Sequence, residues 1–209
     1  MLDKRLLDTL HIEQVAIIGH STGGMLATRF ALDYPYKVTR LVLADAIGLE
    51  DWRGKGVPYR GVDKWFSDEL NNTYEQILKL HQNYYVEWKD EYRTWADVQY
   101  GMAKSANGDQ YALVSALTYD MILTQPVVYE FSHLNVPTLV IVGKEDKTKI
   151  VQGATPQVAS KLGNYTELGK ETARAIPGAK LVEYDHCGHL PFYEREQDFY
   201  KDVLSFLSD

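Results

Sequence analysis

The chain has 209 residues, a hydrophobic fraction of 45% and a formal net charge of −7, from 22 basic and 29 acidic side chains. That composition excludes wholesale disorder, the acidic balance argues against a nucleic-acid or anionic-membrane surface, and no apolar run approaches the ~20 residues of a membrane-spanning helix. The single cysteine, Cys187, leaves no intramolecular disulfide and no cysteine-based zinc site, so small-molecule chemistry is the expectation.

Leu2, Leu6, Leu7 and Leu10 recur at near-helical spacing with no N-cap before Leu2, so the chain opens in mid-helix. The apolar run Val15-Ala16-Ile17-Ile18 reads as a buried strand, and Gly19-His20-Ser21-Thr22-Gly23 follows it directly. A helical segment over 25–32 comes next. This G-x-S-x-G would arise by chance in fewer than about one in ten chains of this length. Its strand–turn–helix setting is that of a nucleophilic serine on a strained turn, where small residues on either side let the backbone fold tightly and expose Oγ. Tyr34-Pro35 ends the helix, and 38–44 reads as a second buried strand, parallel to the first.

From about 48 to 131 the pattern turns helical. Thr73 and Gln76 have capping-box spacing ahead of Tyr74, Ile77, Leu78, His81, Tyr84, Tyr85 and Trp88. Trp95, Val98 and Met102 mark another helix, and Asp109 is the expected cap of a third, with Leu113, Val114, Leu117 and Met121 on one side up to Pro126. The four tryptophans and most tyrosines lie in this stretch. Helix-spaced aromatics usually face a core, so packing is the first expectation for them and pocket lining the second.

A central strand is expected over 138–143, then a long excursion with a helix up to Ile176, a strand over 179–184 after Pro177-Gly178, and a last amphipathic helix through Phe199, Val203, Leu204, Phe206 and Leu207. A serine hydroxyl needs a positioned base, and that base an orienting acid, both at the carboxyl ends of later strands. Asp146 stands three residues beyond Gly143, and His189 stands in the loop after the strand ending at Tyr184. Glu145 beside Asp146, and Asp45 at the end of the second strand, remain alternative acids. His20 reads as a structural neighbour in the turn, His186 as a loop hydrogen-bonder and Cys187 as a small buried apolar residue.

With these motifs the sequence resembles the α/β-hydrolase fold family, in its branch with a helical cap inserted after the strand that follows the nucleophile. The resemblance rests on Gly19-His20-Ser21-Thr22-Gly23-Gly24, the strand and turn 139–146, and Gly188-His189-Leu190-Pro191, and it spans essentially the whole chain. It implies an α/β fold of about four parallel strands with flanking helices. Residues 1–48 and 132–209 would form the two parts of the core, and 49–131 the cap. It also implies Ser21 as nucleophile, His189 as general base and acid, Asp146 as the orienting acid, and the Thr22 backbone N–H as an oxyanion donor. The expected substrate is a small ester-like molecule, with no metal or organic cofactor.

Whole members of that family place about four strands before the nucleophile strand, and a His-Gly loop among them gives a second oxyanion N–H. The chain therefore reads as the carboxyl-terminal part of a longer hydrolase, with the strand at 15–18 as an exposed edge. That strand carries no charge, proline or bulge to guard it, so self-association or pairing with another chain through it is expected. The rival to catalysis is a non-catalytic fragment that pairs through the same edge. Epoxide or haloalkane hydrolysis is disfavoured, because those enzymes carry a carboxylate where this chain has Ser21. The compartment is set no further than a cytoplasmic default, because a segment upstream of Met1 would carry any signal.

Overall fold

The computed structural model describes residues 2–208, with side chains from Lys4 onward. Helix α1 (Leu2–Thr9) is short, with Leu6 exposed and Leu7 packed on the core; the side chain of Leu2 lies outside the described residues. Strand β1 (Val15–His20) runs into helix α2 (Thr22–Asp33), and strand β2 (Val38–Ala44) follows. Four helices then fill the inserted stretch: α3 (Val62–Leu70), α4 (Tyr74–Gln82), α5 (Arg93–Ala103) and α6 (Gly108–Thr124). Strand β3 (Thr138–Gly143) returns to the sheet, followed by α7 (Pro156–Ala159), α8 (Tyr165–Ala175), strand β4 (Lys180–Tyr184), α9 (Pro191–Glu194) and α10 (Glu196–Ser208).

The four strands form one parallel sheet in the order β1-β2-β3-β4. Consecutive parallel strands need crossovers, and the helices between them cover the two faces. On one face Leu41, Leu43, Val140 and Val142 pack with Met25, Phe30 and Leu168 from α2 and α8. On the other Val42, Ala44, Leu139 and Ile141 pack with Phe199, Val203 and Phe206 of α10. β1 occupies one margin of the sheet: Ile17 reaches the first cluster, whereas Ile18 is 50% exposed. The β1–β2 register shifts between Val15 and Ala16 and skips Thr39. The extra residue sits on β2, inside the pair, and leaves the outer side of β1 unguarded.

The inserted helices keep the expected period but not always the expected face. Thr73 and Gln76 do form the capping box, each side chain bonding the other's backbone. Asn107, not Asp109, stands at the N-cap of α6, and Asp109 lies in its first turn. The buried residues of α6 are Gly108, Ala112, Ala116, Ile122 and Leu123, while Leu113, Val114 and Leu117 are exposed. Small alanines let α3 approach closely and bury Trp65, which stacks on Tyr119.

Candidate active site

The turn after β1 places Ser21 at φ 54 and ψ −127, a left-handed conformation that costs a non-glycine residue energy and needs a rigid frame. That frame is tight. A Cβ on Gly19 would stand 2.5 Å from the Gly23 carbonyl oxygen, and one on Gly24 would stand 2.3 Å from Ala46 Cβ. Nothing lies within 4 Å of the corresponding position on Gly23. The close approach thus falls on Gly19 and Gly24 rather than on the symmetric pair of the motif. The Ser21 N–H donates to Ala44 O at 3.2 Å, and its carbonyl accepts from the N–H groups of Gly24 and Ile47, both at 2.9 Å.

His189 and Asp146 arrive from loops after β4 and β3. His189 Nε2 lies 2.9 Å from Ser21 Oγ, and His189 Nδ1 lies 2.8 Å from Asp146 Oδ2. The tautomer with its proton on Nδ1 satisfies both contacts, donating to the carboxylate and accepting from the hydroxyl. Asp146 Oδ1 accepts from the Thr148 N–H at 2.8 Å. Both His189 and Asp146 are buried. The structure separates the alternative acids: Glu145 turns outward toward His186 at 3.3 Å, and Asp45 lies buried with Oδ1 accepting the Gly143 N–H at 2.8 Å. Thr22 opens α2, where first-turn N–H groups have no intrahelical acceptor, and it lines a cavity beside Ser21.

The inserted stretch between β2 and β3 reaches the site through backbone groups. The His189 N–H donates to Tyr84 O at 2.7 Å. Glu194 bridges the two segments, with Oε1 accepting the Val86 N–H and Oε2 the Gly188 N–H, each at 2.7 Å. A Cβ on Gly188 would stand 2.5 Å from Tyr84 O, so glycine is what admits the cap here. His20 closes the arrangement from β1: burial pushes its pKa down to about 4, so the ring is neutral and Nε2–H donates to His189 O at 2.7 Å. The His189 ring lies between His20 at 4.7 Å and Tyr84 at 5.1 Å. Burial likewise drives the Cys187 thiol far up, which makes it inert. Sequence reading missed Glu194 and the Tyr84 carbonyl, whose partners are backbone atoms.

Two cavities meet at Ser21. One, of about 350 Å³, runs under the cap past Trp52, Glu69, Tyr111, Tyr119 and Ile122. The other, of about 550 Å³, is walled by His20, Trp95, Val98, Met102, Phe192 and Tyr193. Trp95 is therefore a cavity residue, Trp52 and Tyr85 are buried residues that also reach a cavity wall, and Trp65 and Tyr92 serve packing. Among the described residues no group of three or more His, Cys, Asp or Glu side chains is placed to hold a metal, and no helix is long and apolar enough to cross a membrane.

Comparison with known proteins agrees with this architecture. The α/β-hydrolase fold family model matches residues 1–196. A probable hydrolytic enzyme from Pseudomonas aeruginosa PAO1 superposes with a TM-score of 0.95 at 45% identity, over 98% of this chain and 67% of that one. An esterase from Exiguobacterium antarcticum shares the fold at a TM-score of 0.70 and 18% identity, over 99% of this chain and 71% of that one. A 2-hydroxy-6-oxononadienedioate/2-hydroxy-6-oxononatrienedioate hydrolase from Comamonas testosteroni is 24% identical over 99% of this chain and 67% of its own length. The chain spans about two thirds of the length of the relatives it matches. With a four-stranded parallel sheet, a strained serine turn and a family match over nearly its whole length, the chain belongs to the α/β-hydrolase fold family and is a hydrolase.

Proposed function

We propose that the chain carries the nucleophile, base and acid of a serine hydrolase that cleaves carboxylic ester-like carbonyl compounds through an acyl-enzyme. The observation that supports this most is the continuous path from Ser21 Oγ to His189 Nε2 at 2.9 Å and from His189 Nδ1 to Asp146 Oδ2 at 2.8 Å. In the first half-reaction Ser21 Oγ attacks the carbonyl carbon while its proton moves to His189 Nε2. The Thr22 N–H stabilises the oxyanion, and collapse expels the alcohol, which takes the proton from His189. In the second, water gives its proton to His189 and attacks the acyl carbon, and collapse returns the proton to Ser21 and releases the acid. Asp146 keeps the imidazole in the working tautomer throughout.

The two cavities divide the substrate at its scissile carbonyl, with an apolar or aromatic portion beside Trp95, Val98 and Met102 and the remainder beneath the cap. The Comamonas relative is named for 2-hydroxy-6-oxo acids, so carbon–carbon cleavage of such ketones is the alternative reaction for the same three residues. Reaction with a fluorophosphonate probe tests the nucleophile. Labelling at Ser21, abolished by Ser21→Ala and slowed by about 10⁴-fold in Asp146→Asn, is the expected result. Folded protein that stays unlabelled would favour a second reading, a non-catalytic chain that pairs through β1, for which the exposure of Ile18 speaks.

A further inference from the structure

Asp45 is buried against the proposed triad, yet acyl transfer has no step for it. It follows the last residue of β2 with φ 40, a left-handed backbone that aspartate adopts at a cost. Its side chain is shut off from water. Oδ1 takes the Gly143 N–H at 2.8 Å, whereas Oδ2 is buried with no donor among the described protein groups. The Asp146 carboxyl is the acidic side chain beside it, reached where the ends of β2 and β3 meet in the sheet. Asp146 is already an acceptor on both oxygens, from Thr148 N–H and from His189 Nδ1–H. Two ionised carboxylates in contact repel, and a single proton between them turns that repulsion into a hydrogen bond.

We propose that Asp45 is held as a neutral carboxylic acid whose Oδ2–H donates to Asp146, making it a positioning residue that aims the Asp146 carboxylate at His189. Its surroundings agree: burial raises its pKa well above the usual carboxylate range, and Asp146 and Glu194 push the same way. The neighbouring Cys187 thiol and Tyr165 hydroxyl are themselves held neutral by burial, and the Gly143 N–H is the one group acting in the opposite direction. For the role of Asp146 the inference rests on the triad reading; the protonation of Asp45 does not.

The test is a pH titration of protein labelled with ¹³C at aspartate carboxyl carbons, with the Asp45 signal assigned by its loss in Asp45→Asn. The signal is expected to keep its carboxylic-acid position at pH 7, and titration at the ordinary aspartate value of about 4 would overturn the proposal. The pH dependence of fluorophosphonate labelling adds a functional readout. Asn keeps both hydrogen bonds and adds no charge, so Asp45→Asn should hold the acid-side midpoint to within about 0.3 unit, whereas Asp45→Ala should slow labelling about tenfold. A midpoint lowered by about one unit in Asp45→Asn would mean that an anion had been removed, and the proposal would fall. Failure of the wild-type protein to label at Ser21 would instead remove the triad reading, and the carbon titration would still decide the state of Asp45.

Discussion

His20 illustrates how much a single side chain can contribute through its hydrogen bond and its burial. Its neutral ring donates to His189 O from within the serine turn and packs edge-on against Phe192 at 5.0 Å. In the folded protein burial pushes its pKa down to about 4, while an unfolded histidine titrates near 6.5. Between those values the unfolded state binds the proton and the folded state does not, so stability falls as pH drops from about 6.5 toward about 4. Urea unfolding at pH 7 and pH 5 should show a loss of about 1–2 kcal/mol in the wild-type protein that His20→Gln, which keeps an N–H donor, largely removes. Equal losses in both proteins would count against this account. At this scale the sequence was informative wherever chemistry resides in a side-chain type and its order along the chain: Ser21, Asp146 and His189 stand out by strand-end position. It was silent on Asp45 as a neighbour of Asp146, because that contact depends on two strand ends meeting side by side in the sheet.

At the scale of elements, one joint between the inserted stretch and the last loop centres on a carboxylate. Glu194 on α9 gathers the Val86 and Gly188 N–H groups, and beside it the Tyr84 carbonyl takes the N–H of His189. Removing the acceptor leaves the buried Gly188 N–H unsatisfied, at about 1–3 kcal/mol, whereas the exposed Val86 N–H turns to water. Glu194→Ala should therefore lower the unfolding free energy by about 1–3 kcal/mol and loosen the His189 loop, seen as faster amide exchange at Gly188 and His189. Exchange unchanged at those two residues would show that the joint does not depend on Glu194. The period of the cap helices was readable from spacing alone, but not the choice of face. On α6 the large residues Leu113, Val114 and Leu117 form the more obvious stripe, yet Ala112 and Ala116 are buried, because close approach of α3 requires small side chains. Hydrophobicity ranks the large residues first; packing distance reverses the order.

For the whole molecule, the four strands were readable as apolar runs and their parallel arrangement from the resemblance, and the sheet has the order β1-β2-β3-β4. α10 covers β2, β3 and β4 on one face, and Ile18 lies beyond its reach. An apolar residue on an open strand margin invites pairing. Ile18→Lys should reduce self-association of the protein in light scattering at rising concentration and shift the unfolding free energy by less than about 0.5 kcal/mol. Scattering identical to wild type would place any association elsewhere. One further consequence concerns time. Ser21 and His189 lie 168 residues apart, and the backbone of His189 is held by a carbonyl from the middle of the chain. Contacts of such long range close late, after loops of this length have paid their entropy. For the proposed hydrolase, Ser21 Oγ and His189 Nε2 are therefore expected to meet late in refolding, so fluorophosphonate labelling should lag behind formation of the sheet.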